Sequence, residues 1–225
     1  MKRKDFLTKG IGFLGTSLIA PSLLAKKDDS AACAVTNTET AGPFPTITPS
    51  NLVTSNIVGD RTGVPFTINI YIMNVNANCA AYQGVLVDIW HCDKDGEYSG
   101  YSSSQNGSHA GETFCRGLQK TDSSGKVTFT TIYPGWYPIR TVHVHFKIRT
   151  APISRRSYEF TSQVYFPDNL TDHVHTASPY SSNGRRRVRN QQDFIYRYGG
   201  EHLLLEPSET SNGYTATFPI ALTLP

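Results

Sequence analysis

The chain has 225 residues, a formal net charge of +3 and 38% hydrophobic residues. That is enough for one sizeable core, and too little charge excess to argue for a nucleic-acid partner. Thirteen prolines and eighteen glycines favour many short strands and turns over long helices, and no internal repeat or low-complexity linker divides the sequence.

At the start, Lys2, Arg3 and Lys4 form a basic stretch, and Gly10 to Leu24 is an apolar run of export-signal length, short for a membrane span. Arg3 to Leu7 is similar to a twin-arginine signal with Lys4 in place of the second arginine. Residues 1–32 are therefore expected to be an export signal and short leader, cleaved after Ala25 or Ala32, and residues 33–225 a single domain. The mature protein is expected in the periplasm or outside the cell, with no integral membrane span. A lipid anchor on Cys33 is disfavoured, because no leucine precedes it at the usual offset.

Val85 to Trp90 reads as a short apolar strand. Asp95-Gly96 is a turn signal, so Tyr98 and Tyr101 leave the strand end in a loop, where functional side chains often sit. Phe114 to Gln119 and Phe129 to Ile132 supply two more strands around a Ser-Ser-Gly turn and lead to Pro134-Gly135. From Thr141 to Arg149 the residues alternate strictly, as in a β-strand. Val142, Val144, Phe146 and Ile148 take one face; His143, His145, Lys147 and Arg149 take the other. A bare His-x-His on a strand fits a polar face meeting water as well as a metal-binding pair. The elements describe an all-β sandwich of mixed and antiparallel strands with few helices, bringing the Tyr98 loop and the histidine strand to one end.

Several motifs in order carry a resemblance. They are Thr40 to Phe44, Asp88 to Asp93 with Gly96 to Tyr101, and Arg116-Gly117 with Thr121-Asp122. Tyr133 to Pro138 with His143 to Phe146, and Ser162 to Phe166, complete the set. Together they resemble the intradiol ring-cleavage dioxygenases, the family of protocatechuate 3,4-dioxygenase and catechol 1,2-dioxygenase, from about Thr38 to the C-terminus. The resemblance implies a prealbumin-like sandwich and one non-haem Fe(III) per chain, held by Tyr98, Tyr137, His143 and His145. Phenolates are hard donors that suit Fe(III), and no thiolate is needed. It further implies a small catecholic substrate and O2, ring opening between the hydroxyl-bearing carbons, and a cis,cis-muconate-type product. Tyr137 would be the displaced ligand and Tyr98 the one that stays. Arg140 would stabilise charge on the ring, and Gln163 would support the site from the next strand.

Other readings stand beside these. Tyr101 is an alternative to Tyr98, although the Gly-x-Tyr-Ser spacing favours Tyr98. His173-Val174-His175 repeats the histidine pattern in what reads as a surface loop, and Arg185 to Arg189 reads as a solvated basic loop. Four cysteines (Cys33, Cys79, Cys92, Cys115) in an exported protein favour disulfides, with three pairings open. One pairing, Cys92 with Cys115, would tie down the Tyr98 loop; metal ligation by Cys92 is the rival reading. The family's larger relatives carry a helical dimerisation region for which this chain has no room, so the oligomeric state, a homo-oligomer included, stays open. The contrasting functional class is a non-catalytic transthyretin-like or carbohydrate-binding sandwich, which should have lost at least one of the four ligand positions.

Overall fold

Alternation with period two builds the first sheet. Strand β1 (Pro65–Asn74) turns Phe66, Ile68, Ile70 and Ile72 to one face, where each is 1% exposed or less. The computed structural model describes residues 34–45, 52–150 and 158–224. The expected export signal and leader, and Cys33, lie outside the described residues. Strand β11 (Tyr214–Leu222) runs parallel to β1 along one edge. Strand β7 (Lys126–Ile132) runs antiparallel along the other edge, followed there by the two-residue β2 (Ala80–Ala81). A short β10 (Ser208–Glu209) borders β11.

The second sheet is antiparallel throughout, in the order β6 (Arg116–Lys120), β3 (Leu86–Trp90), β8 (His143–Arg149) and β9 (Glu159–Tyr165). A minimal hairpin, β4 (Ser102–Ser103) and β5 (Gly107–Ser108), lies in the loop between β3 and β6. Val87, Ile89, Val144, Phe146, Ile148 and Val164 join the inward residues of β1, β7 and β11 in one core. Burying each such side chain contributes about 1.5–3 kcal/mol. The expected β-sandwich of mixed and antiparallel strands is the architecture found.

The site grows on the outer face of the second sheet. Strand register sets Arg116, Trp90, His145 and Gln163 in one row across the four strands, and His143 opposite Tyr165 in the next. This face does not meet water: His143 and His145 are 2% exposed and Gln163 is fully buried. An N-terminal arm, residues 34–45, runs from β11 to the Tyr98 loop, and its residues 37–40 cover the open edge of β9. Glu39 N donates to Thr161 O, Gln163 Nε2 donates to Thr40 O, and Ser162 Oγ donates to Asn37 O. Strand β8 begins at His143 rather than Thr141, because Thr141 is bonded elsewhere. Its N–H donates to Asp193 Oδ2 at 2.7 Å and its hydroxyl to Asn190 Oδ1 at 2.6 Å.

Two local expectations are corrected, and one open cysteine pairing is decided. His173 and His175 sit on a helix, α1 (Asp168–Thr176), not in a loop. His173 is exposed, whereas His175 is buried, stacks on Tyr180 and hydrogen-bonds Pro134 O. The basic run is not wholly solvated: the Arg186 side chain is 4% exposed and bridges Asp168 and Asp172 of α1, while Arg185 and Arg187 are exposed. Cys92 and Cys115 are both free and buried, so the Tyr98 loop is not held by a bridge between them, and Cys79 is disulfide-bonded. Lys147 and Arg149, on the histidine face, pair with Glu159 and Asp88 rather than with the site. Among the described residues no helix is long and apolar enough to cross a membrane.

Candidate active site

Two loops deliver the tyrosines, and close backbone contact locks one loop to the other. Asp93 Oδ1 accepts the N–H groups of Asp95 and Glu97, tightening the turn that leads to Tyr98. Gly96 adopts φ +88° and lies against Trp136 O, and Gly135 lies against the Asp93 and Lys94 carbonyls. A Cβ at either glycine would overlap backbone atoms of the other loop. Asn106 then clasps Tyr98 on both sides: its Oδ1 accepts Tyr98 N–H and its Nδ2 donates to Tyr98 O, each at 2.7 Å. Arg116 secures the same loop, Nε donating to Ser99 O at 2.9 Å and Nη2 to Phe44 O at 3.1 Å. Tyr101 instead turns its hydroxyl to Pro45 O. Of the two tyrosines in this loop, Tyr98 is the one that faces the histidines.

Four polar atoms converge. His143 Nε2 lies 3.0 Å from His145 Nε2, 3.3 Å from the Tyr137 hydroxyl and 3.4 Å from the Tyr98 hydroxyl. His143 Nδ1 donates to Thr141 O at 2.7 Å, which leaves a lone pair on Nε2. His145 is oriented by stacking on Trp90, with ring planes 3° apart, and by Gly42, whose backbone sits against the ring edge. Arg140 Nη1 lies 3.4 Å from His143 Nε2, so a guanidinium faces the same point.

The surroundings set the charge states. Burial, then the Arg140 cation, hold both imidazoles well below their ordinary pKa, so they are neutral donors. Burial pushes Tyr98 well up and Tyr137 up to about 12. Two phenols, Tyr98 buried and Tyr137 half-buried, beside two lone-pair nitrogens suit a cation that compensates their ionisation. Donor separations of 3.0–3.4 Å match those around a metal ion with bonds of about 2.0–2.1 Å. Among the described residues no cluster of three or more His, Cys, Asp or Glu forms a rival centre. Cys92 turns its thiol to Gly135 O, and burial raises its pKa well above the ordinary value. Ligation by Cys92 finds no support there.

Arg140 is 8% exposed and held on two sides: Nε donates to Asp193 Oδ2 at 2.8 Å and Nη2 to Gln163 Oε1 at 2.6 Å. Asp193, wholly buried, escaped the sequence reading. It also accepts the N–H groups of Thr141, Ile195 and Tyr196, so one carboxylate ties the Arg140 strand entry to the chain 53 residues on. Asn106, Asp193 and Trp90's stacking role carried no local sequence signal, since each acts on a residue distant in sequence or on a neighbouring strand. Tyr98, Tyr137, Arg140, His143, His145 and Gln163 all meet in this one place.

A family profile described as Dioxygenase matches residues 44–194. The chain belongs to the intradiol ring-cleavage dioxygenase family. It is an oxidoreductase, and the non-catalytic sandwich is not retained. Among solved structures it is similar to an intradiol ring-cleavage dioxygenase of Tetranychus urticae, at 27% identity and TM-score 0.76, covering 85% of this chain and 96% of that one. A dioxygenase domain from a carbohydrate-binding fusion protein of Streptomyces sp. SirexAA-E is also 27% identical, with TM-score 0.61, covering 85% and 99% of the two chains. Hydroxyquinol 1,2-dioxygenase of Pseudomonas putida DLL-E4 shares the fold at 20% identity and TM-score 0.59, over 84% of this chain and 66% of that one. Sequence comparison with curated proteins gives no match.

Proposed function

We propose that this protein is a non-haem Fe(III) intradiol dioxygenase that opens a catecholic ring with O2. The observation that carries the reading is the convergence of Tyr98, Tyr137, His143 and His145 around one point, in a chain of this family. These four residues would hold one ferric ion per chain. Such an ion would supply Lewis-acid activation of the catechol towards O2.

The chain's own groups do the rest. Tyr98 is 1% exposed and clasped by Asn106, so it stays in place. Tyr137 is half-buried and comes from the outer loop, which suits it to swing away and accept one catechol proton at Oη. His143 and His145 remain neutral donors, fixed by Thr141 O and by Trp90. Arg140, preorganised by Asp193 and Gln163, places a fixed cation where negative charge develops on the ring. Overall, the bond between the two hydroxyl-bearing carbons breaks, and both atoms of O2 enter the product as parts of two carboxyl groups. The ring carbons are oxidised, O2 is reduced, and a cis,cis-muconate-type diacid results. Residues 33–225 would form the catalytic unit. The basic start and the Gly10–Leu24 run favour its export, which N-terminal sequencing of native protein would check.

Oxygen uptake across a panel of catechols, with metal content measured on the same sample, tests the reaction. The expected result is a reddish protein with one iron per chain that consumes O2 with at least one catechol. A colourless protein fully loaded with zinc would overturn it.

A further inference from the structure

Glu39 lies on the N-terminal arm, outside the donor set. Its Oε2 accepts a hydrogen bond from the Tyr165 hydroxyl at 2.5 Å, and its Oε1 is buried without a partner. Tyr165 is fully buried and stands opposite His143 across β8 and β9. Its hydroxyl also lies 3.4 Å from Gln163 Oε1, the same oxygen that accepts from Arg140 Nη2. A carboxyl group therefore reaches the guanidinium through two side chains.

We propose that Glu39 is a positioning residue for Arg140, acting through Tyr165 and Gln163, and that its protonation state sets how firmly Gln163 holds the guanidinium. The inference rests on the role given to Arg140 above. Tyr165 has a single O–H. When Glu39 is ionised, that proton goes to the carboxylate in a charge-assisted bond, and Gln163 Oε1 serves Arg140 alone. When Glu39 is protonated, its own O–H can go to Tyr165 Oη. The Tyr165 proton then turns to Gln163 Oε1, which divides its acceptor strength between two donors and so holds Arg140 less firmly, and the guanidinium loses a negative neighbour.

Glu39 is faced by the Tyr165 hydroxyl from β9, by Arg140 from the chain entering β8, and by Asp193 from the segment beyond α1. The described arm carries no other charged side chain. Burial is the largest influence and lifts the carboxyl to about 7; Tyr165 and Arg140 oppose it, and Asp193 adds to it. The switch thus falls near neutrality, with Arg140 best held on the alkaline side.

The test uses the full-length, iron-loaded protein. Infrared difference spectra between mildly acidic and mildly alkaline pH should show one protonated carboxyl lost with a midpoint near 7. The band should be absent in Glu39→Gln and shifted in Tyr165→Phe. In the same pH range, kcat should fall on the acid side in the wild type. In Glu39→Gln, kcat should be about fivefold lower at its best, a barrier change of roughly 1 kcal/mol, with KM little changed and the acid limb gone. Glu39→Asp should restore part of the limb, and Glu209→Gln, an exposed carboxylate on β10, should behave as wild type. A carboxyl band that persists in Glu39→Gln, or an acid limb unchanged in that variant, overturns the inference. Absence of iron and of turnover in the wild type would instead sink the reading of the site, while the infrared titration still reads the Glu39–Tyr165 link.

Discussion

The tripeptide His-Val-His occurs twice, at residues 143–145 and 173–175, and its two copies end in opposite circumstances. On β8, side chains two apart share a face, and the two Nε2 atoms stand 3.0 Å apart. On α1, residues two apart are separated by about 200° around the axis, so the imidazoles diverge. His173 reaches water; His175 turns inward, stacks on Tyr180 with centroids 5.1 Å apart, and meets Pro134 O at 3.0 Å. Identical residues become a converging pair or a diverging one, with His175 a packing contact, according to backbone period alone. The strand pair also has what the helix pair lacks: two phenols and a guanidinium aimed at the same point.

The contrast is most easily broken at its strong end. His143→Ala or His145→Ala should lose most of the iron and reduce turnover to background, whereas His173→Ala and His175→Ala should keep the wild-type metal content by elemental analysis. Iron retained in both strand variants, or lost in a helix variant, would reverse the assignment of the two pairs.

Arg140→Ala is the next largest. It should bind catechol almost normally under anaerobic conditions yet react with O2 more slowly by a factor on the order of 10²–10³. Arg140→Lys should recover only part of that, since an ammonium cannot span Asp193 and Gln163 as the planar fork does. Stopped-flow spectroscopy separates the steps; weakened anaerobic binding with an unchanged oxygen step would make Arg140 a binding group.

Tyr137→Phe should keep more iron than Tyr98→Phe but lose most turnover per bound iron, following the clasped and half-buried environments of the two rings. Equal iron loss in the two variants would contradict that division.

At the helix pair the effects concern stability. His175→Ala should cost about 1–3 kcal/mol through lost packing on Tyr180, read by thermal or denaturant unfolding. Burial holds His175 below its ordinary value of 6.5, so the unfolded chain takes up the proton first. Wild-type stability from this residue is therefore present above pH 6.5 and declines as pH falls below it, and the gap to His175→Ala should narrow on the acid side. His173→Ala should change stability by less than about 0.5 kcal/mol.

The histidine strand was legible because strict alternation fits only one backbone. The loop tyrosines were legible because Asp95-Gly96 and Pro134-Gly135 mark turns, and because the ordered motifs resemble a family. Strand β1 carries equally regular alternation, yet its partner β11 could not be paired with it from sequence, since parallel neighbours need no local link. Helix α1 was missed because its nine residues are mostly polar, with only Thr171, Val174 and His175 buried. Arg186 looked like one more solvated charge; its two carboxylate partners lie 14 and 18 residues away on α1.

Two imidazoles sharing a strand face, and two tyrosines leaving nearby turns, follow from the chain alone, because side-chain direction and turn chemistry are local properties. The dryness of this polar face, the grip of Asp193 and Gln163 on Arg140, and the approach of Glu39 from the arm came only with folding. Those outcomes depend on which distant segments cover the sheet, and coverage is settled by the packing of the whole sandwich.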